Sequence, residues 1–202
     1  MHVHRLVACS LAAVGLATAA VAKDDALTTI TRSFRTSPCV RIAFEEIVHS
    51  QVFDKLDTLK GLIVFDSSGC YRIELGEDIY VRTDSELYSF SPASNQVIIE
   101  KLDDSSSMVS VLWIRHLDDY FESTILVPDK RYRLTAKPGV SVDVPASLTL
   151  FVSGGKRIEK IEFIDDNGDS TMLKVVRQET SQGCRKDDFE PDFPDSVERV
   201  RL

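Results

Sequence analysis

The sequence predicts a mainly β fold with a small helical component, built as an antiparallel sheet that curls on itself. Three observations predict it. Short runs of β-branched and aromatic residues recur from about residue 40 to residue 179, and in most of them apolar and polar positions alternate. Turn residues separate the runs, as at Ser67-Ser68-Gly69 and Gly76-Glu77-Asp78. Helical patterns are few, one before residue 38 and one near residue 110. A large sheet with so little helix cannot cover its apolar face with a full second layer. It must curl, or wrap a helix or a ligand.

The chain begins with an export signal. Arg5 is followed by an uncharged, alanine-rich run from Leu6 that ends Ala20-Val21-Ala22 before Lys23-Asp24-Asp25. One positive charge, a short apolar run and a small-x-small exit are what signal peptidase needs. Residues 1–22 are therefore expected to be removed, leaving one domain of about 180 residues over 23–202. At 43% hydrophobic and 28% charged, the composition is that of a globular chain.

The elements follow in order. Leu27, Ile30 and Phe34 are spaced as one face of a helix over Asp24 to Thr36, capped by Asp24 or Asp25 and stopped before Pro38. From Cys39 the period becomes two. Strands are expected from Cys39 onward and over Leu59–Phe65, around Tyr71 and Ile73, then over Ile79–Arg82, Leu87–Phe90 and Gln96–Leu102. The segment from Met108 to Ile114 is too densely apolar for a half-exposed strand. It reads as a helix opened by Ser106 or Ser107 and ending near Arg115-His116, either as ordinary core or as a lid inside the sheet's curve. Strands resume at Arg131–Ala136, Leu148–Val152, Arg157–Ile164 and Thr171–Glu179, with Asn167-Gly168 as a type I′ hairpin turn. The prolines near Phe189 and Phe193 suit an extended or edge segment.

Alternation places Val40, Ile42 and Phe44, Ile63 and Phe65, Tyr71 and Ile73 on one apolar face. Val81, Tyr88, Phe90, Leu148, Leu150, Ile161 and Phe163 join them as candidate cavity lining. Met108, Leu112 and Trp113 would face them from the apolar helix. Such concave apolar faces bind apolar molecules.

Catalytic and metal chemistry find little support. His49 and His116 are the only histidines after the signal, and neither sits in a ligand pattern. Asp165-Asp166-Asn167-Gly168-Asp169 opens like a calcium loop, but Val176 stands where the closing glutamate belongs. There is no Gly-x-Ser-x-Gly elbow and no phosphate-cradling glycine loop. Acid pairs such as Glu45-Glu46 and Asp118-Asp119 read as solvated turns and helix ends. The chain is thus expected to be no enzyme, with no metal and no cofactor. Its formal charge of −8 argues against nucleic acid. Removing the signal leaves three cysteines. The strand over 59–65 should lie between those carrying Cys39 and Cys70. Two strand spacings, roughly 9–10 Å, exceed the ~7 Å limit for a bridge. Cys184 is the expected partner for either one.

Three stretches resemble the periplasmic outer-membrane lipoprotein carriers, the LolA family. Gly61-Leu62-Ile63-Val64-Phe65 followed by Cys70-Tyr71-Arg72-Ile73 is similar to that family's strand pair. Leu87-Tyr88-Ser89-Phe90-Ser91-Pro92 with Gln96-Val97 is similar to its Leu-Trp-x-Tyr-Asp-Pro and Gln-Val. Phe189-x-Pro191-x-Phe193-Pro194-Asp195-Ser196-Val197 is similar to its C-terminal motif. The resemblance implies a half-barrel of antiparallel strands, with short helices as a lid over a hydrophobic cavity for acyl chains. It implies a periplasmic monomer that receives acylated lipoproteins from an inner-membrane ATP-driven release complex. The cargo then passes to an outer-membrane receptor lipoprotein of similar fold. The alternative is an envelope lipid-binding or stress-sensing protein of the same fold. The family's lid-holding arginine has no counterpart in Asp66-Ser67-Ser68-Gly69, so a loosely held lid is expected.

Overall fold

The computed structural model describes residues 25–102, 112–126, 131–140, 144–154, 157–165 and 167–202. The export signal and Met108 lie outside these residues. No described helix is long and apolar enough to cross a membrane.

Helix α1 spans Asp25–Thr36. It is followed by strands β1 (Cys39–Ser50), β2 (Lys55–Asp66), β3 (Tyr71–Leu75), β4 (Asp78–Arg82), β5 (Glu86–Ser91) and β6 (Gln96–Lys101). A 3-10 segment, Leu112–His116, continues into the short helix α2, Leu117–Tyr120. Then come β7 (Phe121–Leu126), β8 (Arg131–Ala136), β9 (Ser147–Ser153), β10 (Arg157–Ile164), β11 (Ser170–Ser181), a 3-10 turn at Lys186–Phe189, and β12 (Glu198–Arg201). All twelve strands form one curved sheet in the order β12-β6-β5-β4-β3-β2-β1-β11-β10-β9-β8-β7. Neighbours are antiparallel except β12, which runs parallel to β6. The long β1–β2 hairpin and the β1–β11 pairing weld the two halves of the chain together in the middle of the sheet.

The sheet has an inner and an outer face. The inner face carries α1, the 3-10 segment and α2. Leu27, Ile30 and Phe34 of α1 join Trp113, Ile114 and Leu117 in a single apolar core with strand residues from β1 to β11. The Phe34 and Phe65 rings meet edge to face at 5.9 Å. Gly61 on β2 is needed for this packing, because a Cβ there would overlap the ring of Phe44 on β1.

The outer face of β1 to β6 is crossed by the C-terminal segment, which leaves β11 at Ser181 and reappears beside β6 as β12. This strap is fixed at four places. Cys184 is disulfide-bonded to Cys39, with Cα atoms 5.0 Å apart. Buried Asp188 takes the Arg41 guanidinium and the Arg185 backbone N–H. Phe193 and Val197 pack on Val81, Val97 and Ile99. Glu198–Arg201 pairs with Gln96–Ile99. The disulfide follows the expectation that Cys184, not Cys70, meets Cys39, and β2 does lie between β1 and β3. Cys70 keeps a free thiol.

Several local readings are corrected. The helical stretch does not end at Arg115-His116 but runs to Tyr120. Asp118 and Asp119 in the first turn of α2 complement its N-terminal dipole and extend it. The segment after it is strand β7, which short length and weak alternation hid. The proline-flanked tail finishes as a parallel strand, Glu198–Arg201. The β10–β11 turn is one residue longer than a type I′ turn. Asp165 N–H donates to Asp169 O across residues 166–168, and the Asp165 carboxylate accepts from Asn167 and Asp169 N–H.

Candidate functional site

The site expected from alternation is an apolar sheet face under a helical cover. The structure gathers most of its candidates. Val40, Ile42, Phe44, Ile63, Phe65, Tyr71, Ile73, Leu148, Leu150 and Ile161 are buried on the inner face in one cluster. Phe163 packs against that cluster partly exposed, 6.0 Å from Trp113 ring to ring. Trp113, at 2% exposure, sits edge to face with Phe163 and with Phe121 of β7. Leu112 opens the 3-10 segment. Among the described residues, α1, the 3-10 segment and α2 cover this face, and their apolar side chains join its cluster.

Val81, Tyr88 and Phe90 are placed elsewhere. Tyr80 and Leu87 take the inner positions, so Val81 and its cross-strand partner Tyr88 point outward, as does Phe90 opposite Ile79. They form a second cluster under the strap, where Phe193 lies 5.2 Å from Phe90 ring to ring. A period-two pattern is symmetric to a one-residue slip, and both faces of β4–β6 are apolar, so alternation alone could not assign the face. The cue was the tail itself, whose Phe193 and Val197 need an apolar surface to cover.

Sequence reasoning missed the polar ties that hold the helical cover. Arg35, on the last turn of α1, donates to Asp118 Oδ1 at 2.7 Å and reaches Asp119 Oδ2 at 2.5 Å. His116 Nδ1 lies 3.0 Å from Asp119 Oδ2. Burial alone would raise the Asp119 carboxyl, but hydrogen bonds from His116 and Arg35 hold it below the usual range. Lys137, beyond β8, donates to Asp118 O at 2.7 Å. The Arg115 guanidinium lies over the Phe65 ring at 5.4 Å. The cover is thus stitched to itself and to the sheet end by ions and apolar contact, not by strand pairing.

At the rim, Glu46 stands on the inner face opposite Leu59 and Leu173, and burial pushes its carboxyl up. A groove of about 620 Å³ near β8–β11 is bordered by Leu148 and Phe163, but its other walls include Arg133, Thr135, Thr149 and Glu162. Its polar walls do not suit an acyl chain. Cys39, Cys184 and Asp188 converge, but with both sulfurs in a disulfide and Asp188 paired to Arg41 they are no metal site in this state.

Sequence comparison finds no matching family model and no matching curated protein. Among solved structures, an uncharacterized conserved protein from Thermus thermophilus is similar over 88% of this chain and 98% of its own, with TM-score 0.53 and 16% identity. A LolA superfamily protein from Nitrosomonas europaea aligns over 82% and 96%, with TM-score 0.44 and 11% identity. A putative outer membrane lipoprotein-sorting protein domain from Vibrio parahaemolyticus aligns over 81% and 94%, with TM-score 0.41 and 9% identity. At 16% identity the first of these speaks for the fold alone. The chain adopts the architecture that its sequence resemblance implies, a curved open sheet with short helices on its inner face, and so has a LolA-like fold.

Proposed function

We propose that this protein binds the acyl chains of lipids or lipoproteins on the inner face of its sheet, beneath the helical cover. The observation that carries this reading is the nature of the cover. A continuous apolar sheet face is closed by α1, the 3-10 segment and α2, whose polar ties are a few ion pairs and hydrogen bonds at partly exposed positions. Exposing an acyl chain to water costs about 0.8 kcal/mol per methylene. A chain that slid between cover and sheet would replace one set of apolar contacts with another. Binding would therefore be moderate, as suits a carrier that must release its cargo. The export signal read from the sequence supports work in the periplasm, moving acylated lipoproteins from the inner to the outer membrane. In that role an inner-membrane release complex would load the protein, and an outer-membrane receptor would unload it. The reading assigns no catalytic residue. Mass spectrometry of lipids that co-purify with the native protein tests it. Co-purifying diacyl or triacyl species in near one-to-one amount support it, and a lipid-free protein that also fails to bind a triacylated lipopeptide refutes it.

A further inference from the structure

Two arginines stand at one end of the inner face and, among the described residues, neither is in an ion pair. This is the end where β1 and β3 begin and β2 and β4 finish. Arg82 closes β4 opposite Tyr71 and Leu87, both buried inner-face residues, so its side chain starts on that face. Arg115 leans on the fully buried Phe65 from the 3-10 segment, and its Nε is buried without a hydrogen-bond partner. Among the described acids, Asp66 lies near enough to favour the charged form of Arg115 but is otherwise engaged, as is Asp84, whose Oδ1 accepts from the Cys70 thiol at 3.3 Å. Asp66 Oδ1 accepts the N–H groups of Ser68, Gly69 and Cys70. Asp118 and Asp119 are held by Arg35. Among the described residues, neither Arg82 nor Arg115 has a carboxylate within ion-pair distance, and Arg35 adds a third positive charge beside them. A buried guanidinium N–H left unsatisfied is costly unless something comes to meet it.

We infer that Arg82 and Arg115 form an anion site at the end of the apolar face, and that the ligand it takes is a lipid whose headgroup carries a phosphate. This rests on the acyl-binding reading and narrows it. Arginine forks suit phosphate oxygens, and the guanidinium of Arg115 is in contact with the apolar core itself. An anion held there has an apolar surface immediately behind it, which suits an amphipathic ligand better than a free phosphate. Burial weakens the protonated form of Arg115, and a phosphate oxygen would restore it.

The test uses the full exported chain and three probes: 1-oleoyl lysophosphatidic acid, 1-oleoylglycerol with the same tail and no phosphate, and sn-glycerol 3-phosphate with no tail. Wild type should bind the lysophosphatidic acid at least about tenfold more tightly than oleoylglycerol. The Arg82→Gln/Arg115→Gln double variant should lose that preference, read as the ratio of its own affinities for the two lipids. Arg115→Lys, which keeps the charge, should retain most of it. Equal affinity for the two lipids in wild type overturns the anion site, as does a preference that survives in the double variant. Glycerol phosphate binding as tightly as lysophosphatidic acid overturns the lipid assignment. If neither lipid binds, the acyl-binding reading itself fails. If oleoylglycerol binds without a phosphate preference, only the anion site fails.

Discussion

Arg35 and Asp118 are 83 positions apart in sequence and joined by a 2.7 Å charged hydrogen bond. Through it the helix that precedes the sheet and the helix inserted between β6 and β7 become one cover. Neither helix is long enough to hold itself on the sheet by propensity. Their position depends on apolar contact with the inner face and on this tie.

Arg35→Gln should loosen the cover without unfolding the sheet. Both side chains of the pair are about one-third exposed, so the loss should be no more than about 1 kcal/mol. Iodide should reach Trp113 more readily in the variant than in wild type, with only a small fall in Tm. Unchanged quenching would mean that the cover is held without this tie, by apolar contact and the Lys137 bond.

The disulfide gives a second expectation. Cys39 and Cys184 close a loop with a sequence separation of 145. Replacing both by Ser should destabilise the fold by roughly 2–5 kcal/mol through the unfolded chain. A non-reducing peptide map should show the 39–184 bridge, with Cys70 alone labelled by iodoacetamide before reduction.

Asp188 sets a pH dependence. Burial would raise its carboxyl, but hydrogen bonds from Arg41 and from the Arg185 backbone hold it below the ordinary value. A carboxylate depressed in the folded state contributes stability above its unfolded pKa of about 3.9, and that stability is lost as pH falls through the folded value. The Tm gap between wild type and Asp188→Asn should therefore be full at pH 7 and narrow steadily from about pH 5 downward. A gap constant with pH would deny the ion pair its role in anchoring the strap.

Much of the fold was legible because period-two alternation and turn residues are strong local signals. They mark β1, β3 to β6 and β8 to β11, and helical spacing marks α1. Leu59–Phe65 found the half of β2 that also pairs with β3, but Lys55–Thr58, paired only with β1, are exposed and carry mixed polarity, so nothing in the pattern announces them as strand. β7 and β12 are short, and β12 is made by pairing with β6 rather than by its own Glu-Arg-Val-Arg sequence. At the site, the inner cluster followed from alternation wherever only one face is apolar, as along Val40, Ile42 and Phe44. It failed at Val81, Tyr88 and Phe90, where the strap makes both faces apolar. The Arg35 tie and the pair Arg82 and Arg115 were invisible, since three-dimensional proximity of distant charges leaves no sequence period.

An acyl chain bound between the cover and the inner face would touch Trp113. Trp113 is the only tryptophan in the chain and is buried there against Phe121 and Phe163. Titration with a dibrominated stearic acid reads this contact directly, because bromine quenches indole emission only at close approach. Quenching of Trp113 should be saturable at one ligand per chain and reversed by excess unbrominated stearate. Emission that stays constant up to the solubility limit of the fatty acid, from a protein shown to be folded, would contradict it.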